Sequence, residues 1–439
     1  MKVSFISLGC PKNTVNSEQM LFAVQQAGHE IVPAPEMADA VIINTCAFIE
    51  SATQEAINTI IEVGQLKEEG SLKYLIVAGC LAQRYREQIF DELPEVDAVI
   101  GTGSLHNIVK AVEEVWAGKK YLSCEPNESL RLGGERVVTT PDYTAYIKVA
   151  EGCDNRCSYC AIPAIRGSFR SRPMEDIVEE AKSLETLGVK ELVIVAQDTT
   201  RYGLDLYGRY ALSDLLKRLT AETSIPWFRL LYCYPDKITD ELIAEMREND
   251  RVVKYIDIPI QHISDRMLKA MNRHGDGALV RDTVKRLREG VPGITIRTTA
   301  IVGFPGETEE DFTELCEYIQ EAEFDRFGAF PYSREEDTPA YDLPDQIDEQ
   351  IKQDRYDELM AIQLEIHEKL NEAKIGKTVT VLCEGFDPVA ETCFGRSEAD
   401  APEIDGKVYF TAKKRPAEGE FVTVKVTEAI DYDLFGELC

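Results

Sequence analysis

Glu151-Gly152-Cys153-Asp154-Asn155-Arg156-Cys157-Ser158-Tyr159-Cys160 follows directly on the apolar run 146–150. That run has the length and composition of a β-strand, so three thiols crowd the loop at its end. Thiolates this close in sequence can wrap one metal cluster. A 4Fe–4S cluster asks for a terminal ligand on each of its irons. Three cysteines therefore leave one iron open to a small chelating molecule. Structural zinc would want a fourth Cys or His nearby, and the nearest histidines in sequence are His106 and His262.

Around this loop, residues 144–340 form a series of strand–helix units. Apolar runs at 146–150, 191–196, 227–232, 254–258, 295–302 and 326–330 alternate with helical patterns such as 174–187. Such a series predicts a full or partial β/α barrel, and an open sheet fits the same count. Upstream, over 1–117, strands at 3–8, 40–43, 74–78 and 98–100 alternate with helices near 17–27, 51–67 and 85–93. This alternation argues for an N-terminal parallel α/β domain. Gly118, Pro126, Gly133-Gly134 and Pro141 mark 118–143 as a linker. Residues 341–374 read as a connecting helix with an apolar stripe of Ile351, Leu359, Ile362, Ile366 and Leu370. After Gly376 the pattern turns to short β segments at 378–382, 407–410 and 421–426, which predict a small β-barrel over 375–439.

A second triplet is scattered: Cys10, Cys46 and Cys80. Each stands just past the carboxyl end of an apolar strand, and ligands gather at that edge of an open parallel sheet. Cys10 and Cys80 both follow glycine. The spacing predicts a second three-thiolate site; the competing reading is three buried cysteines acting as small hydrophobes. Cys124, Cys233, Cys316, Cys383, Cys393 and Cys439 share no such position and read as structural.

The chain is acidic, with 48 Lys and Arg against 78 Asp and Glu, a net charge of −30. A field of that sign repels phosphate backbones and attracts basic partners. No apolar run approaches the length of a membrane span. The opening Met1 to Cys10 looks superficially like a lipoprotein signal, but its apolar segment is too short. The expected location is the cytoplasm, where motif-spaced cysteines are reduced and hold metals.

The C-x3-C-x2-C spacing with an aromatic residue before the last Cys resembles the radical S-adenosylmethionine (SAM) superfamily. Leu8-Gly9-Cys10-Pro11-Lys12-Asn13, Asn44-Thr45-Cys46 and Gly79-Cys80 resemble the N-terminal domain of its methylthiotransferases. Gly152-Cys153 to Cys160, Ile162-Pro163 and Arg166-Gly167 resemble their radical SAM domain, and the tail is similar to their TRAM domain. The resemblance covers nearly the whole chain. It implies two 4Fe–4S clusters, held by Cys153, Cys157 and Cys160 and by Cys10, Cys46 and Cys80. The open iron of the first would bind the amino and carboxylate groups of SAM. It also implies a reductant such as flavodoxin or ferredoxin.

Two subgroups differ in substrate. One modifies adenosine in transfer RNA; the other modifies the β-carbon of an aspartate in small-subunit ribosomal protein twelve. Ala196-Gln197-Asp198-Thr199-Thr200-Arg201-Tyr202-Gly203, Asp257 to His262 and Gly328 to Ser333 resemble the second. Charge points the same way, because residues 377–439 hold 7 Lys and Arg and 13 Asp and Glu. Such a tail suits a basic ribosomal protein or the small subunit, and RNA only through the ribosome. It reads as a docking module that can be removed without loss of SAM cleavage.

SAM-binding positions implied by the resemblance are Tyr159, Gln197, Gln261, Arg297 and Gly303. Tyr159 either flanks the adenine or packs the loop. Arg297, with Thr298, faces the SAM carboxylate or else pairs with a buried acid. Gly303 opens a Gly-Pro turn whose Thr308 and Asp311 fit a capping box. Gln261 and His262 end a strand and face ribose or substrate, and a structural role for His262 is equally open.

Overall fold

The computed structural model describes residues 1–439. Its first sheet comprises β1 (Lys2–Ser7), β2 (Glu30–Ile31), β3 (Ala40–Thr45), β4 (Tyr74–Gly79), β5 (Ala98–Gly101) and β6 (Tyr121–Ser123). All are parallel, in the order β2-β1-β3-β4-β5-β6. The apolar runs are continuous because both faces are covered. Val41, Ile43, Leu75 and Val77 pack with Ile60 and Val63, while Ile42, Ile76 and Ala78 pack with Ile108 and Val112 on the other face.

One expectation is corrected here. Residues 121–123 lie within the stretch read as linker, yet they pair with Ala98–Ile100 as an edge strand. A three-residue, half-buried strand carries too little alternation to be legible. Downstream, Arg136 pairs with Glu18 at 2.5 Å and Glu180 at 3.0 Å, so the connection is stapled to both flanking units.

The central sheet contains β7 (Thr144–Lys148), a small hairpin of β8 (Ala150–Glu151) and β9 (Arg170–Ser171), then β10 (Glu191–Val195), β11 (Trp227–Leu230), β12 (Val252–Asp257), β13 (Thr295–Val302) and β14 (Arg326–Pro331). Its parallel order is β14-β13-β12-β11-β10-β7 and it does not close, so the barrel is partial. Helices cover the outside. The helix Glu309–Ala322 starts at the expected capping box between Thr308 and Asp311.

The connecting helix is Glu349–Glu372. Leu359 and Ile366 are buried, but Ile351 stands out in solvent because the helix's first turn turns Lys352 and Arg355 inward instead. Near its end His367 is buried; its Nε2 accepts from Asn371 Nδ2 at 2.7 Å and its Nδ1 lies 3.2 Å from the Asp325 carbonyl. Burial, together with Arg326 and Lys374, holds the His367 pKa down to about 4. An unfolded chain protonates its histidines near about 6.5. The stability that His367 contributes is therefore complete above that pH and is lost as pH falls toward about 4. The loss should reach about 2–3 kcal/mol. Denaturant midpoints at neutral and mildly acidic pH should fall further for the native protein than for His367→Gln; equal falls would refute this.

The tail forms a closed barrel of β15 (Thr378–Asp387), β16 (Thr392–Ser397), β17 (Val408–Thr411), β18 (Phe421–Ile430) and β19 (Asp433–Leu438), ordered β15-β16-β17-β19-β18. The loop after β16 inserts against the inner face of the central sheet. Arg326 pairs with Asp400 at 2.5 Å, Tyr255 donates to Asp405 at 2.7 Å, and Glu191 accepts from both Arg229 and Arg396. No helix is long and apolar enough to cross a membrane.

Candidate active site

Cys153, Cys157 and Cys160 occupy the loop leaving β8, at the carboxyl edge of the central sheet. The loop is braced from its surroundings: Cys153 N donates to the Gly167 carbonyl at 3.0 Å and Ser158 N to the Met271 carbonyl at 2.9 Å. Burial pushes the Cys153 thiol up to about 11 and raises Cys160 as well, with the neighbouring thiols adding to both. Bound metal reverses that preference by displacing the protons. Tyr234 and Arg273 approach Cys157 Sγ at 3.6 and 3.8 Å.

Cys10, Cys46 and Cys80 follow β1, β3 and β4, which are adjacent strands. The register pairs Ser7 with Asn44 and Asn44 with Ala78, so the strand ends are level. Asn13 ties two of the turns together, donating to Leu8 O at 3.0 Å and Thr45 O at 2.9 Å. Gly9 has φ +87° and faces Cys46; a Cβ there would sit 2.7 Å from Cys46 Cβ. Only glycine allows that approach. Burial and the thiols of Cys80 and Cys10 push Cys46 up to about 12. Burial would raise Cys10 too, yet Lys12 and Arg166 hold it below its ordinary value. No three Cys, His, Asp or Glu side chains converge tightly enough for a single metal ion.

Arg166 joins the two sites. It ends the helix Ile162–Arg166 just after the first triplet, and its Nη2 lies 3.4 Å from Cys80 Sγ while also donating to Asn13 Oδ1. Its Nη1 donates to Asn16 at 3.0 Å and Glu151 at 3.3 Å. Glu151 also accepts from Lys148 and Gln197, both at 2.7 Å. Burial would raise the Glu151 pKa, but Lys148 and Arg166 outweigh it and hold the carboxylate at about 2. The sequence marks Arg166 and Glu151 only as members of quoted stretches, with no role of their own. Nothing local signals that a side chain 13 residues past Cys153 reaches Cys80.

The expected SAM positions divide. Gln197 and Gln261 stand beyond β10 and β12, and each has a buried side-chain oxygen with no partner. An unpaired buried acceptor is costly, so both oxygens suit a ligand's N–H or O–H donors. Tyr159 packs beside Met271, Phe304 and Tyr332. Arg297 is not free to meet a SAM carboxylate: it donates to Asp257 at 2.8 Å and has Asp405 at 3.7 Å. The competing reading, a buried arginine paired with acids, holds. Gly303 faces the connecting helix, where a Cβ would lie 2.3 Å from Lys352 Cγ. His262 is fully buried. Its Nδ1 accepts from Ile263 and Ser264 N–H, which leaves the Nε2 proton for Glu307 at 3.1 Å. It is structural.

A three-thiol loop at the open edge of a partial parallel β/α barrel defines a radical SAM enzyme. Residues 147–319 match the radical SAM superfamily, 2–101 match "Uncharacterized protein family UPF0004" and 375–439 match the TRAM domain. The fold is shared with a radical SAM methyltransferase, TsrM from Kitasatospora setae, at TM-score 0.58 and 15% identity over 77% of this chain and 76% of that one. The chain is 49% identical to the "Ribosomal protein uS12 methylthiotransferase RimO" of Desulforamulus reducens, covering 99% of both chains. The same-named protein of Clostridioides difficile is 48% identical over 100% of this chain and 99% of its own length. This chain belongs to the RimO family of radical SAM methylthiotransferases. Iron–sulfur and SAM are the cofactors of that class.

Proposed function

We propose that the enzyme adds a methylthio group to the β-carbon of an aspartate in ribosomal protein uS12, using two 4Fe–4S clusters. The observation that carries the two-site reading is Arg166, which follows one cysteine triplet and touches the other. Cys153, Cys157 and Cys160 hold the first cluster; Cys10, Cys46 and Cys80 hold the second. When bound, these clusters and SAM supply the radical and sulfur-transfer chemistry. The protein's own residues place it. Gln197 and Gln261 offer their unpaired oxygens to SAM. Glu151, Lys148 and Arg166 form a buried ion network that holds Arg166 against the second triplet. The acidic tail, the net charge of −30 and the names of the relatives support a basic protein as substrate rather than RNA. Acting on a ribosomal protein places the enzyme in the cytoplasm, with a flavodoxin- or ferredoxin-type reductant.

Anaerobic reconstitution with SAM, a sulfur source and a reductant tests this. Mass spectrometry should find uS12 heavier by one methylthio group, localised to an aspartate, and no methylthiolated adenosine from transfer RNA. Modified adenosine with unmodified uS12 would overturn the assignment.

A further inference from the structure

Lys12 carries the one buried lysine ammonium that the protein leaves without an acceptor. It stands in the first turn of the helix Pro11–Gln26, two residues past Cys10, and is only 7% exposed. Lys148, Lys237 and Lys352 are as deeply buried, and each reaches a carboxylate at 2.6–3.1 Å. Among the buried arginines only Arg273 lacks a carboxylate, and it donates to the Pro259 carbonyl at 2.6 Å. Lys12 instead rests on an aromatic face, with Nζ 3.2 Å from the centre of the Tyr232 ring. A ring face attracts the cation but takes none of its hydrogen bonds in the ordinary sense.

Tyr232 belongs to the other sheet, just beyond β11, and has a left-handed φ of 61° that a bulky residue rarely adopts. Its N–H is pinned by Asp257 Oδ2 at 2.9 Å, and Asp257 is in turn held by Arg297. The ammonium is thus supplied by the first sheet and seated by the second, between their two carboxyl edges. Cys10, two residues back, is the chief opposite charge beside it, but that thiolate is a cluster ligand in the proposed function, and no oxygen of the protein takes the ammonium's hydrogen bonds. A site of this kind is completed by an anion that arrives with the substrate.

We propose that Lys12 binds the side-chain carboxylate of the residue being modified. This rests on the reading that the substrate is an aspartate. The β-carbon of aspartate is bonded directly to its carboxyl carbon, so gripping the carboxylate fixes the reacting carbon one bond away. An asparagine in the same place would leave the ammonium without its counter-charge, and the site would reject it.

The test measures binding by the reconstituted, full-length holoenzyme. The probes are purified uS12 and uS12 carrying asparagine at the modified position. The native enzyme should bind the aspartate form about 10–100-fold more tightly. Lys12→Gln should bind both forms alike, at the level of the asparagine form, and Lys12→Arg should restore part of the preference. Lys12→Met is a second neutral replacement should the glutamine variant fold poorly. Iron content should match the native enzyme. An unchanged aspartate preference in the neutral variants would overturn the proposal. So would a shifted potential with the preference intact, because the ammonium would then serve a cluster. If the native enzyme modifies uS12 but the neutral variants keep the preference, only the role of Lys12 fails. If the native enzyme leaves uS12 unmodified, the aspartate reading fails with it.

Discussion

Replacing Cys153, Cys157 and Cys160 together with alanine is expected to abolish 5′-deoxyadenosine formation from SAM while leaving iron at the other triplet. The two sites are built from separate materials. The first loop is held by the Gly167 and Met271 carbonyls of the central unit. The second rests on the ends of β1, β3 and β4, stitched by Asn13 and by Asn44, which donates to Asn13 O and Ser17 Oγ. The triple Cys→Ala change removes three sulfurs from one site and leaves every one of those hydrogen bonds. The reciprocal triple variant at Cys10, Cys46 and Cys80 should lose iron there and still cleave SAM, without forming methylthiolated product. Iron per chain and deoxyadenosine by chromatography decide both arms. A native protein whose iron fits one cluster, or a triple variant that loses all of its iron, would refute the two-site reading.

What was legible in the sequence follows from the range of each signal. The six cysteines of the two candidate sites can be placed from sequence because a strand's apolar run and the residue just past it are adjacent in the chain. The parallel order of the first sheet then brings three distant positions to one edge. Strands β16 and β19 are not legible, since Gly395 and Gly436 with charged neighbours interrupt the alternation that announces a strand. Side-chain pairing across units was out of reach altogether. Whether Arg297 faces SAM or an acid depends on Asp257, 40 residues upstream on the neighbouring strand, and on Asp405, 108 residues downstream in the terminal unit. The same holds for His262, whose glutamate partner marks it as structural only once β12 and the turn after β13 are placed side by side. Lys12 sits in a quoted motif, but its isolation is visible only after every other buried cation has found its partner.

The tail is the place where the sequence misleads most, and deletion of residues 377–439 is expected to yield aggregated protein rather than a trimmed, SAM-cleaving enzyme. Because the clusters and the central sheet lie upstream, the tail reads as removable. The structure makes it the floor of the partial barrel. Leu382, Ala401 and Phe421 pack with Tyr143, Tyr146, Trp227 and Tyr255 of the inner face, and the Trp227 and Phe421 rings meet edge to face at 4.7 Å. Loss of the ion pairs is the smaller effect, because Arg229, Arg326 and Glu191 would be rehydrated once the loop is gone. The apolar floor has no such remedy. A large aromatic side chain buries about 150–250 Å², at about 25 cal/mol per Å². Half of that for Tyr143, Trp227 and Tyr255 together is about 6–9 kcal/mol, comparable with the whole stability of a typical domain. The exposed face would also be contiguous, which favours association between chains. Size-exclusion chromatography of the truncated chain should therefore show large aggregates, and soluble material should be scarce and poor in iron. Recovery of a monomer with native SAM cleavage would show that the floor is dispensable and that the tail serves docking alone.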